Sequence, residues 1–338
     1  MSKQTQTEHL DSFTGTKVFE TIEVPTGIYL DLPAPVRIKK QLSIALSSHS
    51  YYPRIDDLQS DWVAHVAAPA FKLLRRQQND LPIDSFCSIG TGSGLDVLSA
   101  VEILGAKRVG LTDVHEEVVA TAADNILHNH LPSHPLVIES GFGDLLSPLR
   151  SYNARYDLIY ENLPNVPLQN DGEIAADRKS STHLAPRKEI LPELIKNQML
   201  DLHYLALVQA KEFLLPHGAV LSTLGARIPL HVFLSLGTLA GYSSSFLTYT
   251  WKVQADPDEV IYDHALKQKE GFGPFYFYRA DILEKTFASI DIETSGENAI
   301  EIERSLLPER LDAVSAYDAL KNGERIGHTV VVLKSELR

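Results

Sequence analysis

A single cysteine, Cys87, is all this 338-residue chain has, which excludes an internal disulfide and any cysteine-rich metal centre. Cations are also in short supply: 31 Lys and Arg stand against 44 Asp and Glu, a net charge of −13. Non-specific nucleic-acid binding rests on clustered Lys and Arg, and docking on anionic membranes needs the same charge, so neither partner is expected. No apolar run approaches the ~20 residues that span a bilayer. The stretch Met1 to Glu8 is polar and lacks the apolar core of a signal peptide, so a cytoplasmic protein is expected. A homodimer is one assembly open to it. Hydrophobic residues make up 44% of the chain, an ordinary share for a protein with a proper core.

What is present centres on Phe86-Cys-Ser-Ile-Gly-Thr-Gly-Ser-Gly-Leu95. This reads as a buried strand running into a glycine turn, with a helix from Leu95 to Leu104 behind it. Gly90, Gly92 and Gly94 let the backbone turn tightly and let a ligand approach with no Cβ in the way. Cys87, inside that strand, reads as a small buried hydrophobe. A second strand, Val109 to Thr112, ends on Asp113, placed to accept hydrogen bonds from ribose hydroxyls. The G-x-G-x-G spacing departs from the dinucleotide fingerprint, and no Gly-Lys-Ser/Thr follows to hold a phosphate. A ligand without phosphates, with a ribose and an amino-acid tail, suits the turn better.

Helices and strands alternate along the rest of the chain. Asp56 to Gln78 has helical spacing of apolar residues, His115 to His130 reads as a helix, and Glu193 to Leu215 as a long one. Further strands are expected at Pro135–Glu139, Tyr156–Tyr160, His217–Leu224, Ser244–Val253 and His328–Lys334. Such alternation implies an α/β fold: a doubly wound, seven-stranded, mostly parallel sheet, whose last strands can enter antiparallel. The expected units are an N-terminal arm (1–55), a ligand-binding core (56–255), a late-inserted cap (256–325) and a final core strand (326–338). In the cap, Gly271-Phe-Gly-Pro-Phe-Tyr-Phe-Tyr278 has two readings, an edge strand burying alternate rings or a wall of the ligand pocket.

A second informative element is Tyr160-Glu-Asn-Leu-Pro-Asn-Val-Pro167, after the fourth strand. Ligands of open α/β sheets bind at the carboxyl ends of strands near the switch point, which puts this loop over the same crevice as the glycine turn. Asn162 offers both an acceptor and a donor, and Pro164 stiffens the turn and presents a backbone carbonyl. Glu161 has three readings: a holder of a substrate ammonium, a base, or a solvated turn acid.

Gly90-Thr-Gly-Ser-Gly94, Asp113 and Asn162-Leu-Pro-Asn165 together resemble class I S-adenosylmethionine-dependent methyltransferases, over roughly Ser85 to Leu224. The loop is similar to the Asn-Pro-Pro-Tyr motif of nitrogen-methylating enzymes such as the release-factor glutamine methyltransferases, but Leu163 and Asn165 replace a proline and the aromatic. The C-terminal Ser315 to His328 and Gly225-Ala-Arg-Ile-Pro229 look like the methyltransferase domain of methionine S-methyltransferases. The resemblance implies a Rossmann-like fold with S-adenosylmethionine as cofactor. Gly90, Thr91, Gly92 and Gly94 would pass under its methionine part, Asp113 would bind the ribose, and Asp144 would approach the adenine amine. Asn162 and Pro164 would orient the acceptor, with Glu161 as fallback base. The acceptor implied is a small amino acid or amine, methylated at N or S. The alternatives are a protein or nucleic-acid N-methyltransferase and a nicotinamide-dependent oxidoreductase. The net acidity and the altered loop weigh against the first, and the glycine spacing and the Asn162 loop against the second.

No metal is expected, because His128, His130 and His134 sit at a helix end without an evident carboxylate partner. The polar loop Asp171 to Pro186, flanked by Arg178-Lys179 and Arg187-Lys188, reads as a lid or as plain solvated chain. Tyr51-Tyr52 is placed to close the cofactor pocket.

Overall fold

The computed structural model describes residues 9–10, 17–18, 20–79, 81–167 and 183–338. Most of the expected lid, including Arg178 and Lys179, lies outside them, as does most of the segment before Glu20.

An antiparallel hairpin of β1 (Glu20–Pro25) and β2 (Gln41–Leu46) forms the N-terminal arm. The main sheet holds β3 (Ser85–Ile89), β4 (Arg108–Asp113), β5 (Val137–Phe142), β6 (Tyr156–Glu161), β7 (Leu214–Gly225), β8 (Tyr242–Val253), β9 (Tyr276–Arg279), β10 (Leu311–Asp312) and β11 (Ile326–Leu337). The order runs β10-β9-β11-β7-β6-β3-β4-β5, with β8 also paired to β11. All seven expected strands are present, and β9 and β10 extend the sheet to nine. Pairs among β3 to β7 are parallel, while β11 lies antiparallel to β7 and β8. The direction of winding reverses between β3 and β6, where a crevice opens at the strand ends.

Alternate residues of the central strands feed two separate apolar layers. Cys87, Ile159 and Val220 face one, with α4 (Asp201–Ala210) and α5 (Leu230–Ala240). Phe86, Leu158 and Leu221 face the other, with the arm, α1 (Ala68–Gln77) and α2 (Leu95–Ile103). Period-two alternation with both faces apolar is what a sheet sandwiched between helices requires.

Two expectations need correction, and one open reading is resolved. The helix foreseen from Asp56 begins as a 3-10 turn and a π turn, and is α-helical only over α1. Asp61 breaks the run: its buried carboxylate accepts from the N–H groups of Arg54, Val63 and Ala64 and from the Tyr29 hydroxyl. The long helix over Glu193–Leu215 is two, Glu193–Asn197 and α4, split where Met199 adopts φ 53°. Its last apolar residues join the sheet, where Leu214 pairs with Tyr156. Of the two readings of the aromatic run the strand holds in part: Tyr276–Arg279 is β9, with β10 outside it at the edge, and Phe275 and Phe277 are buried in the core.

Between β4 and β5 runs α3 (Glu116–Asn129), and two amides on it act as a surrogate strand for the arm. Asn129 accepts from Ser43 N and donates to its carbonyl; Asn125 does the same for Ala45 and also donates to Ser93 O in the glycine turn, at 2.8–3.0 Å. The i,i+4 spacing puts both on one helix face, in step with alternate residues of β2. Asn125→Ala removes the partners of three backbone groups, the half-buried N–H and carbonyl of Ala45 and the buried carbonyl of Ser93, so unfolding should become easier by about 2–4 kcal/mol. An unchanged urea midpoint would contradict this coupling.

Candidate functional site

The glycine turn is left-handed at three positions, with φ 70° at Gly90, 51° at Gly92 and 80° at Gly94. Gly90 N and Thr91 N both donate to Thr112 O, at 2.8 and 2.9 Å, which ties the turn to the end of β4 and so to Asp113. A Cβ added at Gly92 would meet nothing within 4 Å, so the turn is open on that side. Asp113 accepts from His115 N at 3.1 Å, and burial raises its carboxyl above the usual range despite that bond. Thr91 Oγ1 is buried with no partner among the described residues.

These groups line one cleft of about 350 Å³. Gly90, Thr91, Gly92, Asp113, Asp144, Asn162 and Pro164 all border it, whereas Gly94 lies behind as the cap of α2. Val114 adds an apolar surface, 67% exposed although it lines the cleft, with Leu145 also at the wall. Asp144 is already held by Arg187 through two hydrogen bonds, at 2.7 and 3.2 Å. Arg187, on the described flank of the expected lid, therefore acts as a strut at the rim. The arm contributes Tyr51, and the cap contributes Asp256, Val260 and His264 from α6 (Pro257–Lys269) and the residue before it. Cleft walls thus come from core, arm and cap together.

Glu161 does not reach the cleft, which corrects its expected use as a base or ammonium holder. It is fully buried, and both carboxylate oxygens lie 2.8–2.9 Å from His203 Nδ1. His203 Nε2 in turn accepts from Asn165 Nδ2 at 3.1 Å, and the same amide donates to Met199 O. β6 runs one residue beyond the expected Tyr156–Tyr160, and Glu161, on the same face as Ile159, meets His203 of α4 in the core. It positions the Asn162–Asn165 loop through His203 and Asn165.

Several cleft groups escaped the sequence reading. Asp96, one residue into α2, borders the cleft and accepts from Ser88 Oγ and Val97 N. Burial pushes its carboxyl up to about 6. Its signal was lost in a mostly apolar helix. Arg227, Gln254 and His264 line the cleft too, brought together from the segments just after β7 and β8 and from α6. The Gly225-Ala-Arg-Ile-Pro229 segment drew notice, but not the burial of its arginine. His264 donates from Nδ1 to Val260 O at 2.7 Å, and the Phe275 and Phe277 rings stand edge-on to it. Burial lowers this histidine to about 3, so it is neutral.

Among the described residues, two groups of His and acid side chains converge: His49, His115, Glu117 and His183, Glu259, Asp263. His128, His130 and His134 belong to neither.

No family model matches the chain, and no curated protein matches it in sequence. Among solved structures it is similar to a methyltransferase from Pyrococcus furiosus, at 18% identity over 61% of this chain and 82% of that one, TM-score 0.37. Similar too is the ribosomal protein L11 methylase of Lactobacillus delbrueckii subsp. bulgaricus, at 18% identity over 61% and 90% of the two chains, TM-score 0.35. A precorrin-6y C5,15-methyltransferase from Geobacter metallireducens GS-15 shares 11% identity over 63% and 85%, TM-score 0.35. Similarity at this level fixes no activity, substrate or residue role.

Proposed function

We propose that this protein is an S-adenosylmethionine-dependent methyltransferase whose acceptor is a small molecule, an amino acid or amine-like compound methylated at nitrogen or sulfur. One observation carries the reading: the left-handed glycine turn, the Asp113 carboxylate and the Asn162–Asn165 loop open on the same cleft. Asp113 is suited to a ribose diol, because a buried carboxylate offers acceptors that water does not satisfy. Asp96 suits the ammonium of an amino-acid tail beside the turn. Val114 and Leu145 suit a flat base. The G-x-G-x-G spacing of the turn, with no Gly-Lys-Ser/Thr after it, disfavours a nicotinamide dinucleotide.

When bound, the cofactor supplies an electrophilic methyl on a sulfonium. The chain holds the acceptor in line with that methyl and excludes water, and placement alone can supply several kcal/mol of the barrier, on the order of 7–11 in the best cases. Asn162 and the Leu163-Pro164 turn are the groups placed to orient the acceptor. Glu161 faces the core and burial makes His264 a very weak base, so neither of these two supplies a general base. That favours an acceptor atom with a free lone pair of its own, a thioether or neutral amine.

A cleft of about 350 Å³ walled by arm and cap supports a small acceptor over a folded macromolecule. The protein should transfer labelled methyl to at least one member of a panel of free amino acids and amines. Label appearing only in added protein or RNA would overturn the small-molecule reading.

A further inference from the structure

Arg227 is 7% exposed, lines the cleft, and has no acidic partner among the described residues. A buried guanidinium normally lies against a carboxylate, since the desolvation of a lone charge is large. Here Nη2 donates instead to neutral groups: Gln254 Oε1 at 2.7 Å and His328 Nε2 at 3.0 Å. His328 is itself neutral, because burial beside cations lowers it well below its usual value, and with Nδ1 donating to Thr329 O its Nε2 is the acceptor. Arg227 Nε is buried with no partner among the described residues. The Phe277 ring lies 5.6 Å from the guanidinium carbon. Gly225 makes room for the head group, since a Cβ there would fall 2.2 Å from Arg227 Nη1.

The surrounding charge points the same way. Lys252 is buried with its ammonium 4.5 Å from the Trp62 ring centroid, and burial and Arg227 lower it to about 7. Its strongest nearby acid, Asp61, is occupied by Tyr29 and three backbone N–H groups. Two buried cations, of which Arg227 lines the cleft, are therefore within electrostatic reach of each other, stripped of solvent and short of anions among the described residues. Desolvation alone draws Arg227 down to about 9, and a bound anion would restore it.

We propose that Arg227 receives the carboxylate of the methyl acceptor, so that the acceptor is a free amino acid or another small carboxylic acid bound carboxylate-first in the cleft. Gln254 and His328 hold the guanidinium fork, leaving its remaining N–H groups for the ligand. The inference rests on the methyltransferase reading only for what later happens to the bound molecule; the carboxylate site stands or falls by itself.

The test uses the full chain and two titrations. S-adenosylhomocysteine is titrated first; then each proteinogenic amino acid is titrated beside its carboxamide, with and without that nucleoside, following the fluorescence of Trp62 and Trp251. At least one amino acid should bind saturably, with its amide about 30-fold weaker, the range expected when a charge-assisted pair is lost. Arg227→Gln should abolish the preference for acid over amide while leaving the amide's affinity in place, and Arg227→Lys should retain part of the preference. If Arg227→Gln fails to fold, the wild-type ratio and the lysine variant decide. Equal binding of acid and amide, a preference that survives Arg227→Gln, or no amino acid bound by a protein that binds the nucleoside would overturn the proposal. Arg227-dependent binding of an amino acid without nucleoside binding would uphold the carboxylate site and remove the methyltransferase reading. Binding of neither would remove both.

Discussion

Asp113→Ala should bind S-adenosylhomocysteine about 100-fold more weakly than the wild type while its fold is kept. Asp113 ends β4 at the point where the glycine turn is hydrogen-bonded to Thr112 O, so a diol lying on the turn reaches its carboxylate. Two hydrogen bonds to a charged acceptor, each about 1.5–3 kcal/mol, account for an effect of this size. The intramolecular bonds lost on substitution are local, from the backbone N–H groups of His115, Gly92 and Val114, so the fold should survive. The pH dependence has a defined sign. Burial raises the Asp113 carboxyl, so on acidification it takes up a proton before an exposed acid would, and the protonated group is a poorer acceptor. Affinity should therefore fall as pH drops through the upper carboxylate range, and Asp113→Asn should lack that trend. Equal calorimetric affinity of wild type and Asp113→Ala would end the ribose assignment.

Asn162→Ala should behave in the opposite way, with turnover lowered about 100-fold and cofactor affinity nearly unchanged. The side chain borders the cleft from the loop after β6, and the protein spends a buried Glu161-His203-Asn165 chain on holding that loop. Orientation effects of this kind are steep, and a misplacement of about 1 Å can lower a rate by 10²-fold. The check is kcat at saturating cofactor and acceptor, beside a calorimetric cofactor Kd. Unaltered kcat would mean that Asn162 merely ends a strand.

The sheet was legible because its strands are short apolar runs bounded by Gly, Pro and acids. The crevice was legible because chain order places the switch point between Ser85–Ile89 and Tyr156–Glu161. Glycine turn, Asp113 and Asn162 are close in chain order to the strand ends that place them, so spacing reveals them. Arg227, Gln254 and His264 are not: their convergence depends on β7, β8 and the cap meeting, and burial of a charged residue leaves no mark in a single sequence. Glu161 was misread for the complementary reason. One residue along a strand inverts the face, and nothing local says which side of Asn162 looks outward. The split at Met199 is likewise tertiary, since pairing of Leu214 with Tyr156 outweighs the helical spacing that runs into it.

The central claim is that the cleft holds a sulfur nucleoside. Its most direct test is calorimetric titration of the unaltered protein with S-adenosylhomocysteine and, separately, with NADH. Saturable one-to-one heat with the sulfur nucleoside and none with the dinucleotide is the predicted result. Heat with NADH and none with S-adenosylhomocysteine would contradict it.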